Sequence, residues 1–437
     1  MSWLEIIALL GGVLAMLFAI GTPVALAFLG ANLIGAWLFL GSGAGIEQLV
    51  RNASMSVNSF SLVPIPLFVL MGELLFHCGL AYKAIEAIER LLHRLPARLG
   101  CVSVVGGTAF AALSGSSIAN TALLGGTLSQ EMLRRGYSTT LALGPVMAVG
   151  GIAVLIPPST LAVMLGSLSG ISITQLLIGG LVPGLLMAAL FLLFVILTGH
   201  FRPQSAPRDT SASAYTLAER IVPFLRDVVP LFGIFVAVIG SMLAGIATPT
   251  EAAGLGAFAA LIATALYRKL SWAALTKAMT ETAKVSVSIL FIIVASTTFS
   301  QILSFSGATS GMLQLINAVD PTPMTLIVCM LLILLVLGCF IDQISMMMIT
   351  LPIFMPLAHA AGIEVVWLGL MMLVAIELGM LTPPFGILLM VMQGASRSVP
   401  LVSIYKAAAP FILIEIGVLI LMLMVPQLTL FLPALVR

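Results

Sequence analysis

Two short polar runs interrupt otherwise apolar stretches of this chain, and both are rich in oxygen. The first is Ser114-Gly115-Ser116-Ser117, followed by Asn120-Thr121; the second is Asp342-Gln343 with Ser345. A proline pair follows each: Pro157-Pro158 within GGIAVLIPPST, and Pro383-Pro384 within LGMLTPPFG. Proline carries no amide hydrogen, so each pair should free carbonyls about one turn upstream. In the first half those carbonyls belong to residues such as Gly151, Ile152 and Leu155; the second half repeats the arrangement with Asp342, Gln343, Gly379 and Thr382. A cage of hydroxyl, amide and carbonyl oxygens with at most one carboxylate suits a hard monovalent cation, and unwound helices in membranes hold Na⁺ in this way. The half-helices that begin after Pro158 and Pro384 present N-termini of positive partial charge, which suits an anionic substrate.

Asp342 is the only carboxylate near either polar run. A carboxylate inside a membrane costs about 2.5–3.5 kcal/mol on insertion scales, which makes it a functional candidate, with a helix N-cap as the alternative. Glu377, one turn before Pro383, is a second unexpected charge. Capping or pairing is the expected role of Glu73, Glu251 and Glu415, and Glu131 should pair with Arg134 or Arg135. Other chemistries find little support. The four cysteines, Cys78, Cys101, Cys329 and Cys339, are scattered through apolar sequence without a metal-binding spacing. His77, His93, His200 and His359 lie near segment ends. The serine runs 114–117 and 166–170 lack a histidine base, which a nucleophile requires. No enzyme activity, no organic cofactor and no metal other than sodium is expected, and no basic patch with interleaved aromatics suggests nucleic acid.

The elements that must position these groups follow from composition. The chain of 437 residues is 61% hydrophobic and 8% charged, whereas soluble domains carry about 25% charged residues. It is therefore read as an all-α polytopic membrane protein embedded in a lipid bilayer. Apolar runs of spanning length fall near 3–20, 23–40, 61–78, 138–156 and 175–198, then near 229–246, 250–267, 286–304, 364–382 and 405–431. The stretches 100–134 and 325–358 are too long for one span and polar at the middle, as expected of re-entrant helical hairpins whose tips lie inside the membrane. The spacing 383 − 157 = 226 also carries Thr22-Pro23 onto Thr248-Pro249, Gly136 onto Gly362 and Ser116 onto Asp342. The chain thus reads as a duplication. A first repeat covers 1–198, with its hairpin at about 100–134 and a broken helix at about 138–169. A linker covers 199–218. A second repeat covers 219–437, with its hairpin at about 325–358 and a broken helix at about 364–394.

Charge sets the orientation. Residues 79–99 hold four Lys/Arg and their equivalents 305–325 none, while 42–58 hold one and 268–284 hold four. The basic bias flips, so the repeats should be inverted. With both termini outside, 16 of the 18 Lys/Arg fall on the cytoplasmic side, in accord with the positive-inside tendency; the linker 199–218 is then cytoplasmic. Residues 81–96 place Ile85, Ile88, Leu92 and Leu95 on one helical face, as in a helix lying in the interface, and 271–284 look similar. The first apolar run, from Trp3 to Ile20, lacks a basic leader and reads as a span rather than a signal peptide.

The segment GGTAFAALSGSSIANTALLGGTLSQEMLRRGYS followed by IPPST resembles the first hairpin region of tripartite ATP-independent periplasmic (TRAP) transporters. PLFVLMGELLFHCGLA resembles that family's third span, and GCFIDQISMMMITLPIFMPLAHAAGI with LGMLTPPFG its second half. The likeness covers essentially the whole chain and points to the large membrane subunit. It implies an elevator-type symporter of the bacterial inner membrane, with both termini periplasmic. A sodium gradient would drive import of an organic acid such as a C4-dicarboxylate or sialic acid. It also implies a small four-span membrane subunit and a periplasmic substrate-binding protein as partners. Carried over by motif, one sodium set falls on Ser116, Ser117 and Asn120 with the backbone before Pro157, and another on Asp342 and Thr382 with the backbone before Pro383. Substrate is implied between the tips, near Ser159 and Thr160, where Pro158 and Pro384 open the half-helices. The alternative reading is a stand-alone sodium/divalent-anion symporter without a binding protein.

Overall fold

The computed structural model describes residues 1–207 and 216–435, so residues 208–215 of the expected linker and the C-terminal residues 436–437 lie outside the described residues. The described chain is built from helices. The first half contains α1 (Trp3–Ala19), α2 (Val24–Phe39), α3 (Ser42–Val57), α4 (Pro64–His77), α5 (Leu80–Leu91), α6 (Arg98–Ser114), α7 (Ser117–Leu124), α8 (Gln130–Arg134), α9 (Thr139–Leu155), α10 (Thr160–Ser169), α11 (Ile173–Gly179) and α12 (Leu181–Phe201). The second contains α13 (Leu217–Pro223), α14 (Val229–Leu243), α15 (Pro249–Leu266), α16 (Trp272–Phe305), α17 (Ala308–Val319), α18 (Pro323–Gly338), α19 (Gln343–Ala360), α20 (Val365–Leu381), α21 (Ile387–Ala395), α22 (Leu401–Met424) and α23 (Gln427–Ala434).

The 226-residue spacing recurs in the helix ends. Shifted by 226, α9 coincides residue for residue with α20, and α10 differs from α21 by one residue at its start. The same terminators produce the same ends. Gly136 and Gly362 both adopt positive φ (80° and 65°) before the broken helices, a conformation that only glycine reaches without a steric cost. Ser138 and Glu364 then cap those helices, each accepting a hydrogen bond from the backbone three residues on. Both Pro-Pro peptide bonds are cis.

The halves part where the sequence parts. Pro64 and Pro66 keep α3 and α4 separate, because proline at the start of α4 cannot continue the preceding helix. Their equivalents are Leu290 and Ile292, and there the chain runs unbroken through the 34 residues of α16. Residues 271–284, expected as a separate interfacial helix, are therefore the opening turns of this long helix. The helix expected over 81–96 ends at Leu91, so Leu92 and Leu95 lie beyond it. The expected span 175–198 is divided at Gly180, and the expected span 405–431 stops at Met424 because Pro426 follows.

Among the described residues, seven helical segments are long and apolar enough to cross a bilayer, or eight if α9 and α10, bent by 41°, form one span. Ten spans were expected. The difference lies in α1, α2 and α20, which are apolar but only 17, 16 and 17 residues long. In addition, α19, expected as the returning limb of a hairpin, is itself 18 residues long.

The inner helices α9 and α20 are buried on every side, the pattern of a helix hydrophobic all round. Lipid is as apolar as leucine, so close packing rather than hydrophobicity must hold such helices together, and small residues permit it. A Cβ at Gly338 of α18 would stand 2.5 Å from the Cα of Gly379 in α20, and one at Gly144 of α9 would stand 2.6 Å from the Ala407 carbonyl of α22. These contacts fix the frame on which both polar runs are mounted.

Candidate functional site

Each polar run forms the turn between two antiparallel limbs, α6/α7 and α18/α19, and each turn rests on the proline break of its own half. At the first tip Gly115 ends α6 with φ +60°, and a Cβ there would stand 2.9 Å from the Pro158 carbonyl oxygen and 3.3 Å from Thr160 Oγ1. Glycine is needed twice over, for the left-handed backbone and for the close approach. At the second tip Cys339 Sγ lies 3.3 Å from the Pro383 carbonyl oxygen. The tips are capped alike at an offset of 226: Ser116 accepts from the Ala119 amide at 3.3 Å, and Asp342 accepts from the amides of Ile344 and Ser345 at 3.0 and 3.2 Å. Ser345 Oγ also donates to Asp342. The Asp342 carboxylate is therefore an N-cap, held by three donors of its own helix.

The two tips share one cavity of about 330 Å³. Gly115, Ser116 and Ala119 line it from the first tip, Gln343 and Ile344 from the second, and Thr160 from the first broken helix. The facing wall comes from α4 and α16, where Glu73 is the charged residue; its Oε2 lies 3.1 Å from His77 Nε2. Three helices thus begin at this cavity, since Ser116 caps α7 while Thr160 and Gln343 are the first residues of α10 and α19. Helix N-termini carry unpaired amides and a positive partial charge.

Behind the first tip the halves are joined by a buried polar contact. Ser117 Oγ lies 2.6 Å from Glu377 Oε1 and 3.2 Å from the Gly150 carbonyl oxygen. A hydroxyl has one hydrogen, so it donates to one of these acceptors at a time. Asn120 is buried, with Nδ2 3.4 Å from the Gly107 carbonyl and Oδ1 without a hydrogen-bond partner. Glu415 also approaches α9: a Cβ at Gly151 would stand 2.9 Å from its Oε1.

Several expected residues are placed differently. The Ile152 carbonyl is not released by the proline pair, because the Ile156 amide donates to it at 3.0 Å. The Gly379 carbonyl likewise accepts from the Thr382 amide at 3.0 Å, and Gly379 is a packing contact with Gly338. Leu155 turns its backbone toward Gly180, where a Cβ would stand 2.3 Å from the Leu155 oxygen. Thr382 Oγ1 donates to the Leu378 carbonyl at 2.6 Å. Of the residues expected at substrate, only Thr160 lines the cavity. Ser159 is buried as the cap of α10, the Pro158 carbonyl faces Gly115, and the exposed Pro384 offers its carbonyl to Tyr405 Oη at 2.5 Å.

The acidic residues divide likewise. Glu251 closes a capping box with Thr248, Glu131 pairs with Arg135 at 2.7 Å, and Glu73 Oε2 stands 3.1 Å from His77 Nε2 without a hydrogen bond to it. Glu415 neither caps nor pairs: it is 1% exposed and both carboxyl oxygens lack a hydrogen-bond partner. Gly150 and the cavity-facing position of Glu73 were not anticipated, and nothing in the local sequence marks either. Among the described residues no group of three or more His, Cys, Asp or Glu could hold a metal ion.

A cavity lined by two hairpin tips and a proline-broken helix, within a bundle of apolar helices, has the layout of a membrane transporter. Solved structures agree at the level of fold: MtrF of Neisseria gonorrhoeae superposes with a TM-score of 0.60 at 15% identity, over 88% of this chain and 84% of that one. The family model described as "Tripartite ATP-independent periplasmic transporter, DctM component" matches residues 11–428, and the chain belongs to this family. The 2,3-diketo-L-gulonate TRAP transporter large permease protein YiaN of Escherichia coli is 30% identical over 96% of each chain. The C4-dicarboxylate TRAP transporter large permease protein DctM of Pseudomonas aeruginosa is 28% identical over 91% of each.

Proposed function

We propose that the chain is the large permease subunit of a sodium-coupled symporter that imports an organic acid across the bacterial inner membrane. The carrying observation is the convergence of three helix starts, at Ser116, Thr160 and Gln343, on one cavity between the two tips. The positive partial charge of helix N-termini suits a carboxylate, and two of the relatives are named for carboxylate substrates. The coupling ion is Na⁺, held in two sets. The first draws on the Ser117 hydroxyl and the backbone before Pro157, beside Ser116 and Asn120. The second draws on Asp342 and Thr382 with the backbone before Pro383. The orphaned Asn120 Oδ1 and the oxygen-only donors around Ser117 fit a hard cation.

In this reading the repeats are inverted and both termini face the periplasm. The hairpins and broken helices move together against a scaffold that includes α4 and α16, carrying the cavity from one side to the other. A periplasmic binding protein delivers the substrate, and a small four-span subunit completes the complex. The test is uptake into proteoliposomes that contain the permease and its partners. Accumulation should require an inward Na⁺ gradient and the binding protein. Uptake that is unchanged without Na⁺ would reject the coupling, and full uptake without the binding protein would favour a stand-alone symporter.

A further inference from the structure

Beside the outgoing limb of the first hairpin, at the end remote from its tip, the chain encloses a cavity of about 490 Å³. Turns of the backbone form its walls. The turn between α5 and α6 brings Ala97, at φ +50°, against the end of α12, where a Cβ at Gly199 would stand 2.7 Å from Ala97 Cβ. The turn before α9 carries Tyr137 and is tied to the chain beyond α12, because the Ser138 amide donates to the Ser205 carbonyl at 2.9 Å. The side chains in this corner are basic: His93, Arg94, Arg98 and His200 line it beside Tyr137, with no acidic residue among the described lining residues. Burial, and then the positive charges of Arg220, Arg94 and Arg98, hold the His93 imidazole below its ordinary pKa. The nearby carboxylates are engaged elsewhere. Glu89 pairs with Arg98 at 3.1 Å, Glu86 pairs with Arg90 at 2.6 Å, and Glu219 closes a capping box with Thr216. Arg94 is exposed and makes no ion pair among the described residues, so positive charge is left in excess.

An apolar crevice of about 210 Å³ lies further along the same helices. Val105 and Ala109 of α6 form its floor, with Leu185 of α12 on one side and Phe232 and Phe235 of α14 on the other. Both α12 and α14 pack on α6. Leu185 and Phe232 are 59% and 60% exposed, so the crevice opens on the lipid-facing surface. Val105 and Ala109 follow Arg98 by seven and eleven residues, which places all three on one face of α6. The axial separations are about 10 and 16 Å. The hydrocarbon of one leaflet is about 15 Å deep, so an acyl chain whose headgroup rests at Arg98 reaches the crevice. A free anion would leave the crevice unused, and an uncharged lipid would leave the arginines uncompensated. Arginine and phosphate form short charge-assisted hydrogen bonds, and basic clusters beside membrane helices attract anionic headgroups.

We propose that the basic corner binds the phosphate headgroup of an anionic phospholipid, with one acyl chain lying in the crevice between α12 and α14. Arg94 and Arg98 hold the phosphate, and His93 and His200 lie beside it. Ile156, the residue before the first proline pair, also lines the crevice, so the chain abuts the break on which the first tip is seated. The site goes beyond the transport reading and does not depend on the coupling ion or the transported acid.

The test uses the full chain purified in detergent and incubated with equal concentrations of phosphatidylglycerol and phosphatidylethanolamine. Native mass spectrometry should show phosphatidylglycerol retained at least about fivefold over phosphatidylethanolamine. That preference should fall about fivefold or more in Arg94→Glu and less, in the same direction, in Arg94→Gln; Arg94 is exposed, so neither change disturbs packing. Inorganic phosphate at millimolar concentration should not displace the lipid. For the chain, Phe232→Trp in nanodiscs should be quenched, beyond the wild-type tryptophans, by phosphatidylglycerol with brominated acyl chains more strongly than by the brominated phosphatidylethanolamine. Equal retention of the two lipids overturns the proposal, as does a preference in both Arg94 variants within twofold of wild type. Displacement by inorganic phosphate would assign the corner to a free anion instead, and equal quenching by both brominated lipids would leave the crevice to bulk lipid; either result refutes the site as proposed. No transport is measured, so failure of the sodium-coupled reading is seen separately, in the uptake assay.

Discussion

Gly115→Ala tests whether the seating of the first tip on the proline break controls transport. Two effects act at this position. The backbone holds φ +60°, where an added Cβ costs about 1–2 kcal/mol. That Cβ would also stand 2.9 Å from the Pro158 carbonyl oxygen, a contact with backbone that no side-chain rotation relieves. Relaxing it to an ordinary contact requires the tip and the break to separate by roughly half an ångström, and strain of this kind typically costs 1–3 kcal/mol. Even the lower end of this range, about 1 kcal/mol, corresponds to roughly a fivefold loss of the seated arrangement, and about 3 kcal/mol to more than a hundredfold. Ser116 and Thr160 flank this contact and line the cavity, so uptake at subsaturating substrate should fall by at least about fivefold. The control is Gly126→Ala, where a Cβ would meet nothing within 4 Å and φ is not positive. Both variants would be compared for binding-protein-dependent uptake in proteoliposomes and for thermal stability. If Gly115→Ala transports within twofold of Gly126→Ala, the tip does not need its contact with Pro158 and the argument fails.

Further outcomes follow from other contacts. Asp342→Asn keeps the shape of the cap but removes its charge, so apparent Na⁺ affinity should weaken; an unchanged Na⁺ titration, together with stability lowered by about 1 kcal/mol, would reduce Asp342 to a cap. Gly338→Ala would place a Cβ 2.5 Å from the Gly379 backbone; it should lower the thermal unfolding temperature clearly, and retention of the wild-type value would show that α18 and α20 can shift apart at little cost. Glu73→Gln removes the negative charge on the cavity wall beside His77; it should change the apparent KM for the transported acid while leaving the Na⁺ midpoint within twofold, and the reverse pattern would place Glu73 with the ion rather than the substrate.

Much of the fold is legible because its determinants are local. Gly136 and Gly362, Ser138 and Glu364, and the two proline pairs mark helix ends at a constant spacing, and helices begin and end there. The break between α3 and α4 is equally local, since Pro64 and Pro66 stand where the second half has Leu290 and Ile292. Helix lengths were less accessible: apolar sequence continues across Gly180, and only backbone geometry shows that the helix divides there.

The sequence by itself determined a membrane-embedded helical protein, its internal repeat, its polar tips and its family, because composition, periodicity and helix punctuation act over a few residues. The tertiary structure alone decided which oxygens meet. Ser117 contacts a carboxylate 260 positions away, and it is Gly150, rather than Ile152 or Leu155, whose carbonyl it reaches. Glu73, Glu251 and Glu415 look alike as isolated acids in apolar runs, yet one lines the cavity, one caps a helix and one is buried without a partner. What separates them is the face of the helix on which each stands and the neighbour packed against that face. That neighbour is set by contacts between helices distant in the chain, which no local pattern encodes.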